Sequence, residues 1–321
     1  MLTIKVEFKE SNQRIDKYIR KYLNEAPLSF IYKLFRKKDV KVNSHWVKQD
    51  YIIKENDLIT IYVTDEQLKD FSKPKELKKA QLKYEIIYED ENILIINKPR
   101  GLLVHGDKNE KRLTLSNEVL NYLYFKNEYN PHLDHGFIPG PAHRLDRNTS
   151  GIVVFGKNLA SLQELEDLFK NKNQIIKIYQ CLVVGKVNSS QEINLPLIKD
   201  PNTGIVKVGK ISSGAKSALT IISPYKMYSE YSLINAELVT GRTHQIRVHL
   251  SNIGHPIVGD SKYGNFSVNK SFKEKYNFEN QFLHAYLLEF KNIKGHLSYL
   301  SGHKFFASMP KEEIDILDKL S

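Results

Sequence analysis

The stretch His143-Arg-Leu-Asp-Arg-Asn-Thr-Ser-Gly151, which runs into Ile152-Val-Val-Phe155, joins a turn-rich loop to a β-branched run. The apolar run predicts a buried strand, and the Thr-Ser-Gly end of the loop is typical of a turn. Asp146 stands between Arg144 and Arg147, and positive charge nearby favours an ionised carboxylate. An isolated Asp-Arg pair is more often part of a surface ion pair, so a functional role for Asp146 is indicated only by the whole stretch.

Charge is distributed unevenly along the 321 residues. The chain has a net charge of +11, and its first 82 residues hold 18 Lys and Arg against 12 Asp and Glu, a net of +6. Clustered cations favour a polyanion, because binding phosphates releases counterions. The sequence therefore predicts a basic N-terminal module, although exposed lysines that serve only solubility would give the same count.

Several classes of site are not favoured by the composition. The single cysteine, Cys181, excludes an internal disulfide and a cysteine-built metal site. His132, Asp134 and His135 lack the spacing of metal ligands, so we expect neither a metal nor a cofactor. No run approaches the ~18 apolar residues of a membrane span. We expect a monomeric cytoplasmic protein without membrane contact.

The basic module reads as two helices followed by short strands. Helical spacing extends over about residues 13–23, Ser29 begins a second helix, and residues 40–43 and 58–63 read as strands. The order Arg14-Ile-Asp-Lys-Tyr-Ile19, Ser29, Arg36-Lys-Lys-Asp-Val-Lys-Val-Asn43 resembles the S4 RNA-binding domain. The resemblance implies a small α/β domain over residues 1–63 whose RNA-binding cations are Arg14, Lys17, Arg36, Lys37 and Lys38. A merely solvated helix face is the alternative.

Residues 64–81 are rich in lysine and contain Pro74, without sustained periodicity. This composition predicts a linker. The catalytic domain is then expected over residues 82–321.

Three motifs in that second part identify its family. The nonamer 143–151, Lys177-Ile-Tyr179 with Val183-Val-Gly185, and Gly241-Arg-Thr-His-Gln-Ile-Arg247 occur in one order. Together they resemble the RluA-type pseudouridine synthases, and Gly259-Asp260, Tyr263-Gly264 and the loop 97–106 match further family positions. Residues 265–281 have no counterpart among these family motifs.

The resemblance implies a fold and a set of roles. The fold would be α+β, with a mixed, mainly antiparallel sheet flanked by helices. Asp146 would be catalytic, either as nucleophile at C1′ or as base for a sugar proton. Tyr179 would stack on the uracil, and Arg242 would pair with Asp146 and hold its carboxylate. Arg144 would fill the vacated space in the RNA or bind phosphate.

Substrate class follows only from weaker cues. The S4-like module and the loop Val104-His-Gly-Asp107 look more like the RluC branch, which implies large-subunit (23S) ribosomal RNA. A pseudouridine synthase for transfer RNA and a non-catalytic S4-type RNA-binding protein are the alternatives. A kinase is disfavoured because no Gly-rich phosphate loop or Asp-Phe-Gly occurs, and a glycoside hydrolase would need a second carboxylate near Asp146.

Overall fold

A computed structural model describes residues 1–7, 10–72, 84–107, 110, 113–131, 137–170 and 174–320. The chain divides into two compact units. The first comprises Met1–Gln81, Glu118–Gly140 and Lys157–Ala160, and the second comprises Leu82–Asn117, Pro141–Gly156 and Ser161–Ser321. His132, Asp134 and His135 lie outside the described residues.

The N-terminal elements form a four-stranded sheet and three helices. In chain order they are β1 (Leu2–Lys5), α1 (Ile15–Tyr22), α2 (Leu28–Arg36), β2 (Val40–Val42), β3 (His45–Trp46), β4 (Leu58–Ile61) and α3 (Asp65–Phe71). The strand order is β1-β4-β2-β3, and each pair is antiparallel. One apolar cluster joins the inner faces of α1, α2 and the sheet, so this part of the chain has its own core.

Helix α3 lies where the sequence predicted an irregular linker. The Thr64 hydroxyl accepts from the amide of Gln67, and the Gln67 side chain accepts from the amide of Thr64. This reciprocal capping box begins the helix, and Leu68 and Phe71 pack against the N-terminal core. The remainder of the predicted linker, from residue 73, lies outside the described residues.

The rest of the chain contributes five α-helices and twelve strands among the described residues. They are β5 (Ile86–Glu89), β6 (Ile93–Lys98), α4 (Leu115–Phe125), β7 (Gly140–Pro141), β8 (Ser150–Gly156), α5 (Leu159–Lys170), β9 (Ile175–Val184), β10 (Gln191–Asn194), β11 (Leu197–Lys199), β12 (Val206–Val208), β13 (Leu219–Met227), β14 (Tyr231–Leu238), α6 (Gln245–Asn252), α7 (Phe266–Tyr276), β15 (Leu283–Phe290), β16 (Lys304–Phe306) and α8 (Lys311–Leu320).

The second unit is built on a ten-stranded sheet with the main order β10-β13-β14-β9-β15-β8-β6-β5. Strands β16 and β7 pair with β15 and β8, and β11 and β12 form a separate two-stranded sheet. Along the main path every pair is antiparallel except β8 with β15. The mixed, mainly antiparallel α+β fold expected from the resemblance is confirmed.

Gly151 explains how the parallel pair is made beside the Asp146 loop. Its φ is +109°, and a Cβ there would lie 2.3 Å from the carbonyl oxygen of Ala285. Only glycine accepts both the positive φ and this approach of β15. The loop therefore enters β8 at a fixed point, and Asp146 lies five residues before it.

Candidate active site

A cleft of about 620 Å³ in the second unit contains Asp146. Predicted residues Arg144, Tyr179 and Arg242 also line it. Among the described residues that line the cleft, Asp146 is the one carboxylate, whereas cations are numerous: Arg144, Lys177, Lys199, Arg242 and Arg247. This charge balance suits a polyanionic substrate and provides no second carboxylate of the kind that glycoside hydrolysis uses.

The backbone of the Asp146 loop is held by a buried lysine. Lys98, at the end of β6, is fully buried, and its Nζ donates to the carbonyl oxygens of Pro99 and Leu102 at 2.8 Å and of Arg147 at 3.1 Å. The amide of Gly101 donates to the same Arg147 carbonyl at 2.9 Å. The loop after β6 is thus attached directly to the residue that follows Asp146.

Two opposing effects act on Lys98. Burial and the charge of Arg100 lower its pKa and the charge of Asp146 raises it, with a net lowering to about 7. The three carbonyl acceptors match the three N–H groups of an ammonium, whereas a neutral amine would direct a lone pair at a carbonyl oxygen. The geometry therefore favours the charged form, which places a positive charge close enough to Asp146 to interact with it.

Both side-chain contacts described for the Asp146 carboxylate are made to the same oxygen. Arg247 Nη1 donates to Asp146 Oδ2 at 3.0 Å, and His244 Nε2 lies 3.8 Å from that same oxygen. In the described part of the chain no hydrogen-bond donor reaches Oδ1. The carboxylate is thus oriented through Oδ2, with about a third of the side chain exposed to the cleft.

Arg247 replaces Arg242 as the partner of Asp146, which corrects the expected ion pair. Arg242 precedes α6, and its Nε donates to the carbonyl oxygen of Ser217 at 3.0 Å. Arg247 lies in the first turn of α6, on the face that points to Asp146. The flanking Arg147 does not contact the carboxylate either, since its nearest ion-pair partner is Asp107 at 4.0 Å.

Arg247 is itself fixed by a buried carboxylate. Its Nε and Nη2 donate to the two oxygens of Asp260 at 2.6 and 2.8 Å, and Asp260 is almost fully buried. Burial opposes the charge of Arg247, but the hydrogen bonds and charges of Asp260 and Asp146 outweigh it and raise its pKa. These two parallel bonds fix the plane of the guanidinium, so its remaining nitrogen, Nη1, is directed at Asp146.

His244 is held by a tyrosine on its other side. Its Nδ1 lies 2.9 Å from the hydroxyl of Tyr263. That hydroxyl accepts a hydrogen bond from the backbone amide of Val206, also at 2.9 Å. Burial lowers the pKa of His244, while the charge of Asp146 raises it. A neutral ring that accepts from Tyr263 carries its proton on Nε2, toward Asp146. His244 has a φ of +53°, an uncommon backbone conformation for a histidine.

Tyr179 supplies the aromatic wall of the cleft. It lies in the middle of the central strand β9, between Ala236 of β14 and Ala285 of β15. The two small neighbours leave room for the ring, and its side chain is 7% exposed. Burial, and then the negative charge of Asp146, raise the pKa of Tyr179, so it stays a neutral phenol.

A polar network fixes the start of α6. The Oε1 of Gln245 accepts from the Thr240 hydroxyl and the Arg242 amide, and its Nε2 donates to Leu219 and Thr220. Since Gln245 is almost fully buried, these bonds replace those lost to water. The network attaches α6 to the ends of β13 and β14 and so sets the position of Arg247.

The five predicted RNA-binding cations lie in the first unit. Lys17, Arg36, Lys37 and Lys38 are exposed, on or just after α1 and α2. Arg14 is engaged locally, because its Nε and Nη2 donate to Asp16 at 3.0 and 2.8 Å. Four of the five cations are therefore accessible to a polyanion.

Four residues of the site were not assigned a role from the sequence. Arg247 and His244 lie within the motif 241–247, and Asp260 and Tyr263 lie within the match at 259–264. The signal was present in each case, but the spacing alone did not tell which side chain reaches Asp146.

Among the described residues no group of three or more His, Cys, Asp or Glu is arranged to hold a metal ion. None of the described helices has the length and apolarity that a membrane crossing needs.

Comparison with known proteins identifies relatives over most of the chain. Residues 92–252 match the model of a family described as RNA pseudouridylate synthase. The ribosomal large subunit pseudouridine synthase C of Vibrio parahaemolyticus is 34% identical over 286 residues, which cover 88% of this chain and 86% of that protein. The protein of the same name from Haemophilus influenzae is 34% identical over 323 residues, covering 100% and 94%.

A solved structure supports the fold. The human RNA pseudouridylate synthase domain containing 4 superposes with a TM-score of 0.58 at 23% identity. The match covers 73% of this chain and 92% of that one. At this identity the likeness concerns the fold alone.

Proposed function

Since the chain belongs to the RNA pseudouridylate synthase family, we propose that it converts specific uridines of large-subunit ribosomal RNA to pseudouridine. Asp146 is the catalytic residue in this proposal. The relatives from Vibrio parahaemolyticus and Haemophilus influenzae are both named as pseudouridine synthases of the ribosomal large subunit. The observation that carries the proposal is the geometry of Asp146: one carboxylate in a cationic cleft, held through one oxygen by Arg247.

The reaction is an isomerisation. The N1–C1′ bond of uridine breaks, the uracil turns, and a C5–C1′ bond forms. The proton on C5 leaves to solvent and N1 gains one, so the atoms balance without a redox step or an added group. Because the uracil must leave its stack to turn, the enzyme needs a rim that holds the RNA backbone and an aromatic surface for the base.

The cleft residues divide this work. Asp146 acts through Oδ1, the oxygen that Arg247 does not bind, as nucleophile at C1′ or as base for a sugar proton. Arg247 and His244 hold Oδ2 and keep the carboxylate aimed. Tyr179 holds the uracil, Arg242 contacts the substrate, and Arg144 fills the vacated place in the RNA or binds phosphate.

We further assign residues 1–63 to an S4-like RNA-binding domain and the second unit to catalysis. The two-helix and antiparallel-sheet order, the separate core, and the exposed Lys17, Arg36, Lys37 and Lys38 support the assignment. A second basic surface lets the enzyme hold a structured RNA away from the flipped base, which raises affinity through added phosphate contacts. The proposed substrate implies action in the cytoplasm, and we expect a monomer.

Mapping pseudouridine in total RNA from cells with and without the gene tests the substrate. We expect one or more sites in large-subunit ribosomal RNA to disappear and to return with the wild-type gene. Loss of a transfer-RNA site alone would overturn the ribosomal assignment and leave the chemistry intact. No loss in any RNA would favour a non-catalytic RNA-binding protein.

A further inference from the structure

The outer face of the N-terminal sheet carries exposed aromatic rings beside lysines. Trp46 on β3 pairs with Lys41 on β2, and Lys41 pairs with Thr60 on β4. Directly paired residues project from the same face of a sheet. Tyr62 follows the last residue of β4 and lies on this side as well, because Lys41 Nζ lies over its ring. Trp46 is 43% exposed and Tyr62 is 44% exposed. We call Trp46, Lys41, Tyr62 and the adjacent Lys38 the aromatic face.

Each ring of the aromatic face has its own cation. Lys38 Nζ lies 5.5 Å from the centre of the Trp46 ring, and Lys41 Nζ lies 5.2 Å from the centre of the Tyr62 ring. Such contacts contribute little at an exposed site, so they do not account for leaving two large rings in water. They do place a positive charge beside each aromatic surface.

The Trp46 ring is also positioned before any ligand arrives. Its indole Nε1 donates to the carbonyl oxygen of Phe35, in the last turn of α2, at 3.3 Å. The β2–β3 hairpin that carries it has only two turn residues, Asn43 and Ser44. A ring fixed at its polar edge loses little rotational freedom when a flat group stacks on it.

We propose that the aromatic face stacks unpaired RNA bases. This inference rests on the proposed function of the N-terminal domain and adds to its helix cations a second contact of different chemistry. Every base has a π-face that stacks on an aromatic ring, and lysines beside the rings can hold the adjoining phosphates. Bases of a duplex are stacked on each other and are not available, so the face selects single-stranded segments such as loops. The basic balance of the first 82 residues, +6, is complementary to RNA.

The chain offers a direct probe, because Trp46 is its one tryptophan. Stacking of a base quenches indole fluorescence, so emission from the unmodified full-length protein reports on this face alone. We expect short oligouridylate to quench the emission, and duplex RNA of equal length and salt to quench it much less. Binding of each RNA is followed in parallel by the anisotropy of a label on the RNA.

Variants test whether the contact contributes to affinity. Trp46→Ala should weaken oligouridylate binding roughly five- to hundredfold, the range that removal of one stacked aromatic ring gives. Trp46→Phe keeps an aromatic ring and should lose less than Trp46→Ala. Phe266→Ala, which removes an exposed aromatic residue of the second unit, is the matched control and should bind as the unchanged protein does.

Different measurements test base stacking and the proposed isomerase activity, so either can be refuted without the other. Unchanged emission while RNA is bound, or equal affinity of Trp46→Ala and the parent protein, would overturn stacking. Emission that changes with protein concentration in the absence of RNA would make a second copy of the chain the occupant and would also overturn it. Tritium release from C5-labelled uridine RNA is measured on the same proteins and reports the isomerase activity, whatever the fluorescence shows.

Discussion

Asp146 is oriented by contacts to one oxygen rather than by the arginines beside it in sequence. Arg247 lies 3.0 Å from Oδ2, and Asp260 fixes Arg247 with two bonds. Lysine has a single Nζ and no planar fork, so it cannot make the Asp260 pair and reach Asp146 together. The geometry of the carboxylate therefore depends on a guanidinium at position 247.

Arg247→Lys is expected to lower turnover at least about a hundredfold, because misaimed catalytic groups commonly cost that much. It should also destabilise the second unit by about 2 kcal/mol, since the buried Asp260 keeps a cation but loses one of its two charge-assisted hydrogen bonds. Arg242→Lys, the matched control in the same motif, keeps the positive charge and should mainly raise KM. Steady-state kinetics on both variants check this, and a larger loss of kcat for Arg242→Lys would contradict the assignment.

At the scale of single residues the sequence identified the loop but not the ion pair. The nonamer located Asp146, and the resemblance pointed to an arginine of the motif 241–247. That motif holds two arginines, and the choice between them depends on where α6 begins. The left-handed conformation of His244 delays the helix to Gln245 and turns Arg247 toward the cleft. Spacing along the chain contains no information on that delay.

Among the elements, the β2–β3 hairpin has a turn with an unfavourable residue. Asn43 and Ser44 both have positive φ, +50° and +69°. Positive φ at both central positions is the conformation for which Asn-Gly is preferred. Asn43 is well placed, since its side chain donates to Asp57 and accepts from the amide of Leu58. Ser44 is exposed, and no side-chain bond of the described residues compensates for its backbone conformation.

Ser44→Gly should stabilise the N-terminal domain by about 0.5–1 kcal/mol, because glycine adopts positive φ without strain. Asn43→Gly, one residue away, should destabilise it by about 1–2 kcal/mol, because two hydrogen bonds of its side chain are lost. Denaturant unfolding followed by Trp46 emission measures both. Equal effects of the two substitutions would contradict the turn geometry.

Several elements of the N-terminal module were predictable from periodicity. The expected helix at 13–23 agrees with α1, and the expected strands at 40–43 and 58–63 agree with β2 and β4, each within two residues at either end. Helix α7 was not anticipated, although Asn265 caps it by accepting from the amide of Val268. Only Phe272 of α7 is buried, so the helix lacks the apolar stripe on which such predictions depend.

For the whole molecule, buried histidines connect stability to pH. His284 is fully buried in β15, where Nε2 donates to the Ala307 carbonyl and Nδ1 accepts from the Ser150 hydroxyl. Burial lowers its pKa to about 4. Since the unfolded chain takes up the proton near pH 6.5 and the folded protein does not, stability is complete above that pH. It decreases as the pH falls toward 4.

The free energy of unfolding is expected to fall by about 3 kcal/mol through His284 alone between pH 6.5 and pH 4. His284→Gln retains a donor and an acceptor in a side chain that does not titrate. This variant should show a correspondingly smaller decrease over the same pH range. Denaturant titrations at several pH values measure the slopes, and identical slopes would rule out His284 as the titrating group.

The division of the chain into two units could be predicted only in part from the sequence. Composition predicted a boundary at residue 82, a position that lies outside the described residues. The first unit also takes in Glu118–Gly140 and Lys157–Ala160, which lie beyond that boundary. No shift in composition marks these segments, because membership of a unit depends on contacts between residues distant in sequence. The boundaries 1–63, 64–81 and 82–321 therefore remain a prediction.

Catalysis by Asp146 is tested most directly by tritium release from ribosomal RNA labelled at C5 of uridine. The wild-type protein should release tritium, because C5 loses its hydrogen when the C5–C1′ bond forms. Asp146→Asn keeps the size and shape of the side chain but removes the charge, so it should bind the RNA as tightly and release none. Asp167→Asn, an exposed position on α5, is the control and should match the wild type. Release by Asp146→Asn within about tenfold of the wild-type rate, a loss of under ~1.4 kcal/mol, would contradict the central claim.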